Sequence, residues 1–121
     1  MREFLTVTRA LSDPQRLRLL LALRGGERCV CQLVELLNLA GSTVSKHLSV
    51  LQHAGLIRSR KEERWVHYRL TDRKAGPVVG EALDWVFKSL ARSSEATGDR
   101  KRLQQILKQN PSDLCKRQCR N

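Results

Sequence analysis

The sequence lacks any long apolar run. No segment of its 121 residues approaches the roughly 20 apolar residues that a membrane-spanning helix needs. The first six residues also lack the continuous apolar core and the cleavage site of a signal peptide. We therefore expect a protein that stays in the cytoplasm, does not associate with membranes and keeps its four cysteines reduced.

Acidic residues are scarce relative to basic ones. Twelve Asp and Glu residues face 23 Lys and Arg residues, which gives a formal net charge of +11 and a pI of about 10.4. Such an excess favours a polyanionic partner, with nucleic acid as the first choice. The length fits one domain, at a size where pairing with a second copy would help to bury apolar faces.

Catalytic motifs are missing as well. The sequence shows no set of nucleophile, base and orienting residue, no glycine-rich phosphate loop and no paired carboxylates in a fitting context. We therefore expect a protein that is not an enzyme. A constitutive architectural or RNA-binding module with incidental cysteines is the alternative from a different functional class.

A series of short helices is what the sequence does contain. An apolar pattern predicts a first helix over residues 4–11, and Asp13-Pro14 is a strong start for a second that ends at Gly25-Gly26. Apolar residues from Val30 to Leu37 recur at helical spacing and predict a third helix that ends near Asn38.

The fourth predicted helix completes a helix-turn-helix. It begins with Ser42 as N-cap and runs to about Ala54, after a tight turn that contains Gly41. Its apolar residues cluster on one side, so the polar side is free to enter the major groove of DNA. The DNA-contacting residues predicted on this helix are Ser42, Thr43, Ser45, Lys46, His47, Ser49 and Gln52.

Two short β-rich runs follow, at residues 56–60 and 65–70, with Lys61-Glu62-Glu63-Arg64 between them. They predict a β-hairpin, or wing, whose Arg60, Lys61 and Arg64 contact DNA phosphates. A long apolar helix over residues 77–90 then favours a two-fold dimer, because a second copy would bury it. The fold class predicted is mainly α with a small β-hairpin, a dimeric winged helix-turn-helix.

Residues 93–98 are interpreted as a break. They divide the chain into a DNA-binding and dimerisation domain, residues 1–95, and a basic, cysteine-bearing tail, residues 96–121. Within the tail, Asn110-Pro111 resembles a helix start that would place Cys115 and Cys119 one turn apart on the same face.

The cysteines suggest a sensor, since thiolates are preferred by soft ions. Cys29 and Cys31 stand at the entry to the third helix, but residues two apart lie about 200° apart around an intact helix. They can therefore converge on one ion only if the start of that helix is distorted or irregular. Such a distortion would reposition the recognition helix. Cys115 or Cys119, from either subunit, is the natural third ligand.

The chain from about Leu11 to Leu70 resembles the ArsR/SmtB family of winged-helix metalloregulators, and most closely its arsenic-responsive repressors. The stretches that carry the resemblance are ALSDPQRL at 10–17, ERCVCQL at 27–33, SKHL at 45–48 and WVHYRL at 65–70. Two features depart from the arsenic pattern, because Val34 stands where a third cysteine is usual and the wing turn has no glycine.

The resemblance implies a homodimer that binds an operator of imperfect inverted repeats and leaves it when thiolates bind As(III) or Sb(III). No cofactor is required. Cadmium, lead, bismuth or an organoarsenical as inducer, or a thiol-oxidation switch, remain alternatives. The family's zinc site is less expected, because residues 77–90 contain no histidine. For His47, orienting the recognition helix and touching phosphate are equally open.

Overall fold

The computed structural model describes residues 1–72 and 75–119. In this part the chain forms seven helices and a small antiparallel sheet, with the following bounds: α1 (Arg2–Leu11), α2 (Pro14–Leu23), β1 (Arg28–Cys29), α3 (Val30–Leu37), α4 (Gly41–His53), β2 (Ile57–Glu62), β3 (Trp65–Leu70), α5 (Pro77–Leu90), α6 (Ser94–Leu107) and α7 (Pro111–Cys119). The helix-turn-helix and the wing are therefore confirmed. None of the helices described is long and apolar enough to cross a membrane.

Local capping chemistry sets several helix ends. The Asp13 carboxylate accepts hydrogen bonds from the backbone N–H groups of Gln15 and Arg16, at 2.8 and 3.3 Å, and so starts α2 where the sequence predicted. Asn38 ends α3 in the left-handed conformation, with φ of 54°.

The predicted N-cap of α4 was wrong by two residues, since Ala40 takes this position. Ser42 is not the N-cap, because the N–H of Val44 bonds to the carbonyl of Ala40 at 3.1 Å and closes the first turn earlier. Gly41 is thus the first residue of α4 and Ser42 lies within its first turn.

The core is a single cluster of buried side chains to which all seven described helices and the sheet contribute. On α4 the side chains of Val44, Leu48 and Leu51 are fully buried, as the apolar side of the predicted helix requires. Helix α3 packs against α4, and also against α6 and α7. Helix α3 therefore lies between the recognition helix and the C-terminal helices.

The sheet has one strand more than the sequence predicted. Its order is β1-β3-β2, and β1 pairs Arg28 with Tyr68 and Cys29 with His67. Strand β2 ends two residues later than predicted, since Glu62 pairs with Trp65 and two residues form the turn, while β3 has the predicted bounds. The first residue of the turn, Glu63, adopts a left-handed conformation with φ of 58°.

The tail is helical and packed. Residues 93–98 do not form a break, because the Ser93 hydroxyl accepts a hydrogen bond from the N–H of Ala96 at 3.1 Å and starts α6, which continues through Gly98. Asp99 then pairs with Arg18 of α2 at 2.7 Å. The predicted division between residues 95 and 96 falls inside the first turn of α6 and stays a prediction; residues 120 and 121 of the tail lie outside the described part.

Candidate DNA interface and thiol pocket

The outer side of α4 presents the predicted DNA-contacting residues to solvent. They recur at the spacing that places side chains on one face of a helix. The exposed ones are Ser42, Thr43, Ser45, Lys46, Ser49 and Gln52. This surface carries small hydroxyls and a single lysine, which allows close approach to a groove and leaves donors and acceptors for base edges or phosphates.

His47 differs from these residues because it is half-buried. Its Nδ1 lies 3.3 Å from Nη1 of Arg16, and the same guanidinium donates to the carbonyls of Ala10 and Arg9 at 2.6 and 3.0 Å. Of the two roles left open by the sequence, these contacts favour the one in which His47 orients the helix. A contact between His47 and DNA stays a prediction.

The three wing residues predicted to contact phosphate, Arg60, Lys61 and Arg64, differ from one another in their surroundings. Arg60 donates to Glu27 at 2.6 and 2.9 Å and to Glu62 at 2.8 Å. These hydrogen bonds hold the pKa values of both carboxyl groups below their ordinary value and raise the pKa of Arg60. Lys61 is exposed, whereas Arg64 is exposed and also lines a pocket that contains the cysteines.

All four cysteines line one open pocket, with a volume of about 380 Å³, formed within a single chain. We call it the thiol pocket. It lies between the start of α3, helix α7 and the beginning of β3, and its lining residues are Cys29, Val30, Cys31, Arg64, Trp65, Val66, Ser112, Cys115, Lys116, Gln118 and Cys119. The structure thus brings together the two cysteine pairs that lie more than 80 residues apart in sequence, as the separation of 84 residues between Cys31 and Cys115 shows.

Cys29 stands outside helix α3. Its backbone is extended, with φ of −81° and ψ of 158°, and it is paired with His67 in the sheet while serving as the N-cap of α3. The side chain of Gln32 accepts a hydrogen bond from the N–H of Cys29 at 2.9 Å and fixes this junction. Cys29 therefore lies outside the regular turns of α3. This is the irregular start of the helix that Cys29 and Cys31 require in order to approach one ion.

Cys31 and Cys115 are joined by a disulfide, with their Cα atoms 5.4 Å apart. The expectation of four reduced thiols was therefore wrong for this structure. The physical reason is the docking of α7 on α3, where Leu114 is fully buried and Gln118 Nε2 donates to the carbonyl of Cys31 at 2.8 Å. Cys29 and Cys119 are free thiols, the first buried and the second exposed.

Across residues 1–72 and 75–119, no three His, Cys, Asp or Glu side chains are arranged to hold a metal ion. The thiol pocket is thus a gathering of sulfurs and not a preformed coordination site. Glu81 and Asp84 of α5 are exposed.

Sequence reasoning missed two elements of this region. Gln118 carries no motif, and its role depends on a packing partner 87 residues away. Trp65 and Val66 were assigned to the wing alone, although they line the thiol pocket. The sequence held one hint of this contact. The wing directly follows the helix-turn-helix, so its second strand, β3, can return to the start of α3.

A second candidate surface is formed by α1 and α5. Helices α1 and α5 pack together, yet Phe4 and Trp85 are 58% and 65% exposed. Leu5 is also exposed, and a groove between the two helices is lined by Val78 and Ala82. We call this surface the apolar face.

A helix-turn-helix with an exposed recognition helix, followed by a wing, defines a winged-helix DNA-binding regulator. Residues 13–59 match the family described as "Bacterial regulatory protein, arsR family". The arsenic resistance transcriptional regulator ArsR1 of Pseudomonas putida is 37% identical over 99 residues, which cover 78% of this chain and 73% of that protein. The arsenical resistance operon repressor of Escherichia coli K12 is 35% identical, over 77% of this chain and 88% of that repressor.

A solved structure agrees with these relatives. HlyU from Vibrio cholerae has a TM-score of 0.65 and 26% identity, over 75% of this chain and 95% of that chain. This chain belongs to the arsR family and is a transcriptional repressor of the ArsR/SmtB type.

Proposed function

We propose that this repressor binds operator DNA as a homodimer and is released when As(III) or Sb(III) is bound by thiolates of the thiol pocket. The observation that carries the proposal is the gathering of all four cysteines against the start of α3, the helix that precedes the recognition helix. The names of the two relatives, which refer to arsenic and arsenical resistance, support a metalloid inducer.

The ligands proposed are Cys29, Cys31 and one tail thiol, either Cys115 or Cys119. Soft ions prefer sulfur, and the pocket offers sulfur from both ends of the chain. Val34, where the family pattern has its third cysteine, is only 9% exposed and packs in the core. A thiol supplied by α7 therefore takes the place of the missing one. Because Cys31 and Cys115 are bonded to each other in the structure, the ion must bind the reduced protein.

Coupling between ion and DNA follows from the position of Cys29. This residue belongs at once to the sheet, through its pairing with His67 of β3, and to α3, as the N-cap. Drawing its sulfur toward Cys31 and a tail thiol therefore acts on the wing and on α3 together. Helix α3 packs against α4, so the recognition helix shifts as well.

The homodimer is proposed from the apolar face. A contiguous apolar surface that contains an exposed tryptophan is unusual for a monomer and marks an interaction site. A second copy is the fitting occupant, since two symmetric recognition helices and wings would read two half-sites of an inverted repeat. We place this activity in the cytoplasm.

A DNA-release assay on the protein's own promoter fragment tests the proposal. Reduced protein should bind the duplex and leave it on titration with arsenite or antimonite, and a panel of Cd, Pb, Bi and an organoarsenical identifies the preferred inducer. The variants Cys29→Ser and Cys31→Ser should still bind DNA but should not be released by the ion. Ser112→Ala, which changes a hydroxyl of the same pocket, is the matched control and should respond like the wild type.

Two results would overturn the proposal. Release of Cys29→Ser by arsenite at the wild-type concentration would remove the cysteine pair from the inducer site. Duplex binding that ignores every thiophilic ion would favour the constitutive module.

X-ray absorption on the arsenite complex identifies the third ligand. Three sulfur neighbours are expected in the wild type and fewer in the variant that carries both Cys115→Ser and Cys119→Ser. Either single change should have a smaller effect, because the two thiols lie one turn apart on α7. Three sulfurs that persist without both tail cysteines would contradict the assignment.

A further inference from the structure

The disulfide between Cys31 and Cys115 consumes two of the sulfurs that the proposed inducer site needs. A sulfur in a disulfide has no thiolate to offer to an ion. We propose that oxidation of this pair closes the thiol pocket to the inducer while the repressor stays competent to bind DNA. The inference rests on the proposed function and adds redox regulation of the same site.

Packing, and not the bond alone, holds these two cysteines together. Leu114, next to Cys115, is fully buried, and Gln118 of the following turn donates to the carbonyl of Cys31 at 2.8 Å. The Cα separation of 5.4 Å lies in the usual range for disulfides. Cys115 and Cys119 are worse partners for each other, because the Cβ atoms of residues four apart on a helix are about 5–6 Å apart, beyond disulfide reach.

The chemistry requires a two-electron oxidant, and a hydroperoxide supplies it. Cys115 is half-exposed and Cys31 is 8% exposed, so Cys115 is the first to react. Its thiolate attacks an oxygen of hydrogen peroxide, the O–O bond breaks, and a sulfenic acid and hydroxide form; the hydroxide takes up the proton that the thiol had released and becomes water. The sulfur of Cys31 then attacks the sulfur of Cys115, the S–O bond breaks, and a second water leaves. Two thiols and one hydrogen peroxide thus give one disulfide and two waters.

The DNA-reading elements are intact in the disulfide-bonded structure. Helix α3 is regular from Val30 to Leu37, and Cys29 keeps its pairing with His67. The apolar side of the recognition helix is seated in the core, with Leu48 fully buried. Oxidation therefore does not act as an inducer. It leaves an ion with Cys29 and Cys119, one sulfur short of three.

The test compares reduced protein with protein oxidised by hydrogen peroxide and then desalted. We expect the oxidised form to bind the promoter fragment within about twofold of the reduced form, but to need at least about tenfold more arsenite for release. It should also retain less arsenic per chain after gel filtration. Peptide mapping without reduction should find Cys31 bonded to Cys115. A phosphine reductant should restore the response to arsenite.

Two variants separate this pair from the other thiols. Cys119→Ser should form the same disulfide on oxidation. Cys115→Ser should not form it, and peroxide should leave the arsenic retained by this variant unchanged.

Each failure has its own signature. Reduced protein that neither binds arsenite nor releases DNA refutes the proposed function. Reduced and oxidised forms that retain arsenic equally and release DNA equally refute only the inference. Loss of DNA binding on oxidation alone also refutes it, in favour of a thiol-oxidation switch. A mapped bond to Cys29 or Cys119 overturns the choice of pair.

Discussion

Nη1 of Arg16 lies 3.3 Å from Nδ1 of His47 and so joins the start of α2 to the recognition helix. The same guanidinium holds the end of α1 through the carbonyls of Ala10 and Arg9. One side chain therefore fixes the position of α4 relative to two other helices. This contact acts together with the buried Val44, Leu48 and Leu51 to orient the exposed reading side of α4.

Replacing Arg16 tests this relationship. Arg16→Ala should lower the free energy of unfolding by about 1–3 kcal/mol, because it leaves the partly buried carbonyl of Ala10 without its charged donor. Affinity for the operator should fall further than stability explains, since α4 loses an anchor. Thermal unfolding and DNA titration measure the two effects. Arg92→Ala, at an exposed arginine between α5 and α6, is the control and should change neither.

The elements that the sequence predicted well are those set by local chemistry. The Asp13 carboxylate and Pro14 start α2, and Asn110 starts α7 by accepting a hydrogen bond from the N–H of Ser112 at 2.8 Å. Such bonds join residues two or three apart and can be inferred from a short stretch of sequence. Because Asn110 marks the start of α7, the sequence also predicts that Cys115 and Cys119 lie on one helix.

The features that sequence reasoning missed depend on distant partners. The strand β1 has two residues, too few for a periodic pattern, and exists because Cys29 pairs with His67. Residues 93–98 look like a break by composition, yet α6 is stabilised there by the Arg18–Asp99 pair, 81 residues apart in sequence. The disulfide likewise needed α7 to dock on α3, which no local pattern encodes.

The turn of the wing carries backbone strain at Glu63. Its φ of 58° lies in the left-handed region, which costs little for glycine and more for other residues. Glu63→Gly should therefore raise the free energy of unfolding by about 0.5–1 kcal/mol, and Glu63→Val should lower it. Asn38→Gly is the comparison, because Asn38 has a similar φ of 54°. This change should raise the free energy of unfolding by less, since asparagine tolerates the left-handed region. A lower melting temperature for Glu63→Gly would contradict the interpretation.

The apolar face predicts how the dimer is disrupted. Trp85 is 65% exposed, so Trp85→Glu should leave the fold intact while it places a charge in the proposed interface. A central tryptophan contributes about 2 kcal/mol or more to an interface, so the dissociation constant should rise at least about thirtyfold. Sedimentation velocity measures it. Gln104→Glu adds the same charge at an exposed position of α6 and should not change association. A wild-type monomer at all concentrations would refute the dimer.

Arg60 and Glu27 predict the pH dependence of the wing. The hydrogen bonds from Arg60 hold the pKa of Glu27 below its ordinary value of 4.5. A carboxyl group whose pKa is lowered by folding contributes stability above its unfolded pKa, and this contribution is lost as the pH falls through the folded value. Acidification from pH 7 to below 4.5 should therefore lower the melting temperature of the wild type more than that of Glu27→Gln. Equal losses in both proteins would contradict this.

The same pair predicts an effect on DNA binding. The sequence predicted that Arg60 contacts a DNA phosphate. In the structure its guanidinium instead forms salt bridges with the carboxylates of Glu27 and Glu62. Glu27→Gln removes the stronger competitor and should let Arg60 bind phosphate. Affinity should rise on specific and random duplexes alike, and the salt dependence should steepen by about one phosphate contact. Glu63→Gln is the control, because it makes the same change in charge on the wing and leaves the Arg60–Glu27 pair in place. A rise in affinity that both variants share reports the effect of net charge alone. A salt slope in Glu27→Gln no steeper than in Glu63→Gln would show that Arg60 does not reach the DNA.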